Sequence, residues 1–99
     1  MCSETNKKAQ IADEDELLIE RYIDAVWLER GLSKHSLEAY SRDLRLVAKY
    51  LYVKSKRLLT ADYADLVANL AQLAVANRSP RSQARLVSSL RGFYRFCLR

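Results

Sequence analysis

Apolar side chains recur at the spacing of an α-helix in four stretches, and this pattern constrains the fold more than any other feature of the sequence. The 99 residues include only two glycines and one proline, and no long run alternates apolar with polar residues. Spacings of three and four residues place side chains on one face of a helix, whereas a half-buried strand needs a period of two. The sequence therefore predicts an all-α fold with one modest core, in one domain.

The boundaries of the four helices are marked by capping residues. Ser33 and Thr60 are the predicted N-caps of the second and third helices, and Ser79 with Pro80 forms a cap and first-turn pair for the fourth. Gly31 supplies the left-handed residue that often follows a helix end. The predicted helices cover about residues 15–30, 34–54, 61–76 and 80–98.

The start of the chain lacks this pattern. Residues 1–13 are polar and without helical periodicity, and we interpret them as a disordered lead that precedes a helical domain at residues 14–99. An acidic cluster at residues 13–16 complements the positive end of the first helix dipole. Only this lead is excluded from the predicted fold.

Several aromatic and apolar residues decide how the helices should pack. Each predicted helix has a stripe of apolar residues along one face. Trp27 lies at the end of the stripe of the first helix and Tyr63 at the start of that of the third, so both are expected in the core. Phe96 falls off the stripe of the fourth helix. A further apolar set lies beside the polar face of the second helix: Leu46, Tyr50 and Val53. These spare apolar residues favour a second reading of the chain, as a helical protein-interaction module.

The charge of the chain is divided into segments. Residues 1–33 carry a net charge of −4 and residues 34–57 carry +5, whereas residues 58–77 carry −2 and residues 78–99 carry +6. No acidic residue follows Asp65, so the arginines of the last helix lack partners within it. A fold that brings the two basic segments to one face would create a field suited to a polyanion.

The sequence offers little for catalysis. His35 is the only histidine, so no metal cluster or histidine dyad can be built, and there is no glycine-rich phosphate loop. Cys2 and Cys97 have no metal-ligand spacing, and we interpret Cys97 as a small core residue. We therefore assign no catalytic residue, cofactor or metal to this chain. It has neither an apolar run long enough to span a membrane nor a signal core, so a cytoplasmic location is expected.

The starts of the second and fourth helices are the best candidates for contact with double-stranded DNA. Free amides at a helix N-terminus favour phosphate, and short polar or cationic side chains can reach phosphates or base edges. Both starts carry such side chains in the first turns, which is where helices commonly read a major groove. The predicted DNA-binding residues are Lys34, His35, Ser36, Arg42, Arg45, Arg81, Ser82, Gln83 and Arg85.

Two segments resemble a known family. The chain resembles the N-terminal core-binding domain of Xer-type site-specific tyrosine recombinases in the segments LERGLSKHSLEAYSRDLRLVAKYL and SPRSQARLVSSLRGFYRFC. The segment VWLERGL resembles the chromosomal members of that family in particular. Two positions depart from the family pattern. Ser36 replaces a usual threonine, and Ser41 replaces a frequent arginine that could contact phosphate.

The resemblance implies a four-helix orthogonal bundle of the SAM-like type, whose second and fourth helices meet the major groove. It implies that this chain is not itself an enzyme, because the arginines, histidines and nucleophilic tyrosine that break and rejoin DNA belong to a C-terminal catalytic domain absent from the chain. Partners would be that catalytic domain and further recombinase subunits. Chromosome dimer resolution is the expected role, with phage or integron integration as the alternative.

Overall fold

Four helices make up the fold. The computed structural model describes residues 11–98, in which the helices are α1 (Asp13–Arg30), α2 (Lys34–Val53), α3 (Tyr63–Val75) and α4 (Pro80–Cys97). That part of the chain contains no strand. The prediction of an all-α fold with four helices is confirmed.

The first helix begins earlier than expected. Residues 1–10 of the predicted disordered lead lie outside the described part of the chain. Its last three residues are described: Ile11 packs against the core, Ala12 is buried, and Asp13 begins α1. The helix therefore begins two residues before its predicted start at Asp15, and Ile11 and Ala12, which precede it, also contact or join the core.

Three of the predicted helix boundaries have the expected local geometry. Ser33 and Ser79 accept hydrogen bonds from backbone amides of their helices, and Gly31 has a left-handed φ of 63°. The cap of α3 was predicted wrongly. Asp62, not Thr60, is its N-cap, and the Asp62 side chain accepts from the Asp65 amide while Asp65 accepts from the Asp62 amide. This capping box satisfies two amides at once, which a lone threonine cannot do.

The core lies around α2, which packs against each of the other three helices. The buried apolar residues follow the predicted stripes closely on α1, α2 and α4. They are Ile19, Tyr22, Val26, Leu44, Val47, Ala48, Leu51, Leu86, Leu90 and Phe93, with Leu58 from the connection between α2 and α3.

The predictions for three aromatic residues were wrong. Trp27 is 59% exposed, because it lies about 100° around the helix from Val26 and so at the edge of the buried stripe. Tyr63 is 82% exposed, because it is the first residue of α3. Phe96, predicted to lie off the core, packs against it, with its ring centroid 5.6 Å from that of Tyr22.

A glycine explains the position of Phe96. Gly92 lies one turn before it on α4, and a Cβ at this position would collide with the Tyr22 hydroxyl. The missing side chain lets Tyr22 of α1 approach α4 closely enough to contact the rings of both Phe93 and Phe96. The buried face of α4 is therefore wider than its own apolar stripe.

The connection between α2 and α3 packs into the core through Leu58, which is fully buried. The Leu58 amide donates to the Asp15 carboxylate (3.2 and 3.3 Å), and its carbonyl accepts from the Tyr94 hydroxyl (2.6 Å). Burial raises the pKa of Asp15 above its ordinary value and that of Tyr94 to about 12. Tyr94 is thus a structural group, as its place on the core stripe predicted.

Candidate nucleic-acid interface

The N-termini of α2 and α4 have the same local structure. Ser33 Oγ accepts from the Ser36 amide (3.2 Å), and Ser79 Oγ accepts from the Ser82 amide (3.1 Å). Within each pair the two hydroxyls are also hydrogen bonded, at 3.2 and 3.0 Å. Each cap satisfies one amide, and the remaining amides and the positive end of the helix dipole favour an anion.

A buried carboxylate joins α2 to the start of α4. Asp43 of α2 is 2% exposed and receives hydrogen bonds from two arginines. Arg85 donates from Nε to Oδ2 (2.7 Å) and from Nη2 to Oδ1 (3.0 Å), and Arg78 donates from Nη2 to Oδ1 (2.8 Å). Because Arg78 and Arg85 flank the first turn of α4, these bonds hold that turn beside the middle of α2.

This crossing places the two helix starts within reach of one ligand. Asp43 lies nine residues beyond Lys34, which corresponds to about 14 Å along the axis of α2. Arg81 and Ser82 lie within one turn of Arg85, which contacts Asp43 directly. The starts of α2 and α4 are therefore separated by a distance that a single DNA groove and its phosphates can span.

Four of the predicted residues at these starts are exposed. Lys34, His35, Arg42 and Arg81 all have high solvent exposure. Within residues 11–98 none of the four has a side-chain hydrogen bond or an ion pair with a carboxylate. These side chains can therefore approach an anionic ligand without first breaking an internal contact.

Two other predicted residues have internal partners. Arg45 forms an ion pair with Glu16 of α1, with Nε 3.1 Å from Oε1, and also contacts the Ser41 hydroxyl. The hydrogen bond from Arg45 lowers the pKa of Glu16, and the pKa of Arg45 is raised in turn. Gln83 Nε2 donates to the Leu70 carbonyl of α3 (3.0 Å). Both side chains connect helices in the free domain.

A groove of about 450 Å³ runs between α1 and α2 beside the start of α2. Lys34, Arg42 and Arg45 line it, together with Ser41. The carboxylate of Glu38 also lines the groove, so its charge is mixed and its positive character is concentrated at Lys34 and Arg42. The exposed cations thus border this groove and do not form a closed pocket.

Sequence reasoning missed the roles of Asp43 and Arg78. Asp43 lies within about 40° of Val47 around the helix, near the edge of the core stripe, where an acidic residue is unusual. The last helix has arginines but no acidic residue, so its arginines need a carboxylate from a neighbouring helix. An acidic residue at the edge of a core stripe was the sequence signal for such a partner. Pairing is what makes such a burial tolerable.

Comparison with known proteins identifies the family. Residues 19–99, which include both serine-capped helix starts, match the family model described as "Phage integrase, N-terminal SAM-like domain". This chain belongs to that family. The resemblance that GLSKHSLEAYSRDL suggested, to the N-terminal domain of Xer-type recombinases, is confirmed.

Curated relatives of this SAM-like domain are tyrosine recombinases. The chain is 45% identical to tyrosine recombinase XerD of Xanthomonas axonopodis pv. citri over 86% of its length, and 42% identical to XerD of Pseudomonas aeruginosa over 83%. It is 34% identical to XerD of Proteus mirabilis over 88%. The domain spans about 28% of the length of each relative. No solved structure matched it.

The described part of the chain has neither a metal-binding cluster nor a membrane-spanning helix. No group of three or more histidine, cysteine, aspartate or glutamate side chains within residues 11–98 could hold a metal ion. No helix in the same part of the chain is long and apolar enough to cross a membrane.

Proposed function

We propose that this domain binds double-stranded DNA as the core-binding part of a site-specific tyrosine recombinase. One observation carries the proposal: α2 and α4 both begin with a serine-capped, basic first turn, and Asp43 joins the start of α4 to the middle of α2. Helix N-termini of this kind bind phosphates and present their first turns to a major groove. The family match supports the same assignment.

The nine predicted residues divide into groups with different proposed roles. In the first turns, Lys34, His35, Ser36, Arg81 and Ser82 contact phosphates or base edges. Further along, Arg42 and Arg85 reach the same groove. Arg45 and Gln83 contribute through the helix contacts described above, and they contact DNA only where binding releases them.

The whole protein would break and rejoin DNA with catalytic residues outside this chain. The relatives named XerD support a recombinase of this type, and the 28% of their length covered here leaves room for a separate catalytic domain. Acting on chromosome dimers in the cytoplasm is the proposed role, with phage or integron integration as the alternative. The catalytic domain and further recombinase subunits would be its protein partners.

A groove between α2 and α3 supports a second candidate function, protein binding. Leu46, Tyr50 and Val53, the spare apolar residues of α2, line this groove of about 560 Å³ together with Leu73 of α3 and its C-cap residue Ala76. Phe96 does not contribute, because it packs against Tyr22. Such a groove could receive another protein.

DNA titration at two salt concentrations tests the proposed function. We expect the chain to bind a random-sequence duplex at low salt and to lose affinity as salt rises, by roughly 0.9 log units per neutralised phosphate for each tenfold rise in salt. Replacing Arg42 and Arg81 together by alanine should weaken binding roughly tenfold or more and reduce the salt slope.

The control is Arg21→Ala, which removes one positive charge from an exposed position on α1, compared with two charges in the α2–α4 variant. This variant should bind nearly as well as the wild-type chain. Absence of binding at low salt, or equal losses for the control and the α2–α4 variant, would contradict DNA binding by this surface. Chemical-shift changes at Leu46, Tyr50 and Val53 with a protein, and none with DNA, would favour the second candidate.

A further inference from the structure

The carboxylate of Asp43 contacts two arginines. It lies one residue from exposed Arg42 and binds Arg78 and Arg85 on either side of the α4 start. A negative charge at this place would oppose DNA if it acted only through its field. Its position therefore needs a different explanation.

The geometry points to a positioning role: we propose that Asp43 orients Arg85 for sequence-specific contact with DNA, with Arg78 as a second support. The inference rests on the proposed DNA-binding function. It makes Asp43 a residue that governs specificity without touching DNA itself, and it adds Arg78 to the residues on which the interface depends.

The hydrogen bonds of Arg85 carry the first step. Its Nε and Nη2 both donate to Asp43, so the plane of the guanidinium is fixed from one edge. Nη1 has no hydrogen-bond partner within the described part of the chain, and the side chain keeps 35% of its surface exposed. Arg85 can therefore donate to a base edge or phosphate from Nη1 while Asp43 continues to hold its other nitrogens.

The second step concerns Arg78. Its side chain is only 16% exposed, and its Nη2 shares the Oδ1 atom of Asp43 with Arg85. Buried Nη1 of Arg78 has no hydrogen-bond partner among residues 11–98. Arg78 thus leaves a positive charge in contact with buried Asp43, even while Arg85 shares its own charge with DNA. Two arginines on one carboxylate leave the junction with a net positive charge.

Fixing an arginine before binding favours discrimination between sequences. A flexible arginine satisfies any phosphate or acceptor within reach, whereas an arginine held in one plane donates well only to acceptors at matching positions. The side-chain freedom is lost on folding, so binding does not have to restrict it again. Loss of Asp43 should therefore reduce specific binding more than non-specific binding.

Asp43→Asn tests this proposal because the two explanations predict opposite changes in affinity for a specific duplex. Removing a repulsive field would strengthen binding, whereas losing the positioning of Arg85 would weaken it. The wild-type chain is first used to select a duplex from a random pool, and a scrambled duplex of the same composition serves as the non-specific probe. With Asp43→Asn we expect roughly tenfold weaker binding to the selected duplex and equal or tighter binding to the scrambled duplex. Asp24→Asn, the same charge change at an exposed position on α1, should leave the ratio of the two affinities unchanged.

Arg85→Lys is the second variant, and it keeps the test decisive if Asp43→Asn does not fold. Lysine keeps the charge but cannot reproduce the bidentate contact with Asp43. The positioning role predicts a similar roughly tenfold loss on the selected duplex, with little change on the scrambled one. An Asp43→Asn chain that folds and binds the selected duplex as tightly as wild type, or an Arg85→Lys chain that does so, would overturn the inference.

The outcomes also separate this inference from the proposed function. If the wild-type chain binds no duplex and enriches no sequence, DNA binding itself fails, and the inference fails with it. If the wild-type chain enriches a sequence but the two variants keep its selectivity, DNA binding stands and only the positioning role of Asp43 is overturned.

Discussion

Two junctions connect α2 to its neighbours through arginine and a carboxylate, and they differ in where the carboxylate lies. At the α1–α2 junction, Arg45 binds Glu16, and both side chains are more than one-third exposed. At the α2–α4 junction, Arg78 and Arg85 bind Asp43, which is almost completely buried. The pairing of arginine with a carboxylate therefore occurs once with a solvent-exposed carboxylate and once with a buried one.

The difference shows why arginines that look equivalent in sequence need not be equivalent in function. An exposed pair gains little from its contact, because water and salt screen the charges and both side chains lose freedom. A buried carboxylate depends on its partners, because an unpaired charge in the interior is strongly unfavourable. The α2–α4 junction should therefore dominate both the stability and the geometry of the candidate interface.

The largest expected effect comes from removing the buried carboxylate. Asp43→Ala should lower the free energy of unfolding by about 3 kcal/mol, because it leaves Arg78 buried without a counter-charge. Glu16→Ala should cost less than about 1 kcal/mol, because its partner Arg45 is free to turn into solvent. Urea unfolding of both variants at one salt concentration measures the difference. Equal losses would show that burial does not distinguish the junctions.

The capping serines should have a smaller and nearly equal effect. Ser33→Ala and Ser79→Ala each remove one side-chain bond to a backbone amide, at a cost of about 1 kcal/mol. Only the α4 start is also held by Asp43. Combined with Asp43→Ala, Ser79→Ala should therefore show a coupling energy in a double-mutant cycle, whereas Ser33→Ala should add independently. Coupling of similar size at both caps would contradict this distinction.

The smallest effect is the pH dependence of the exposed junction. Arg45 lowers the pKa of Glu16 below its ordinary value of 4.5, so the folded state binds the Glu16 proton more weakly than the unfolded state does. The pair therefore stabilises the fold above pH 4.5, and this contribution is lost as the pH falls through the lowered pKa.

Glu16→Gln isolates that contribution. The difference in unfolding free energy between wild type and Glu16→Gln should be less than about 1 kcal/mol at pH 7 and should shrink as the pH falls below 4.5. Unfolding by urea at a series of pH values measures it. A difference that stays constant with pH, or that grows in acid, would show that the ion pair is not its source.

Much of the fold could be predicted because helical periodicity and capping are local signals. A few neighbouring residues are enough to predict the apolar stripes and the helix caps. Examples are the stripes through Ile19, Leu44 and Leu86 and the caps at Ser33 and Ser79. The errors arose where a neighbouring helix decides the outcome. Phe96 is covered because Tyr22 approaches Gly92 from α1, which the spacing of α4 alone cannot show.

The candidate site also has features that local sequence predicts and contacts that depend on the fold. The basic helix starts could be found from charge segments and capping residues, and the predicted Lys34, Arg42 and Arg81 are exposed. Their roles in binding DNA stay a prediction. The partners of Arg45 and Arg85 depend on which acidic residue the fold brings close, and Glu16 and Asp43 are 29 and 42 residues away in sequence. Long-range ion pairs of this kind leave no periodic signal.

Amide chemical-shift mapping with a DNA duplex tests the central claim most directly. On titration of the labelled chain with duplex at low salt, the largest shifts should fall in residues 33–36 and 79–85, and Arg21 on α1 should change little. Shifts confined to the α2–α3 groove at Leu46, Tyr50 and Val53, or no shifts at all, would contradict the claim that the starts of α2 and α4 bind DNA.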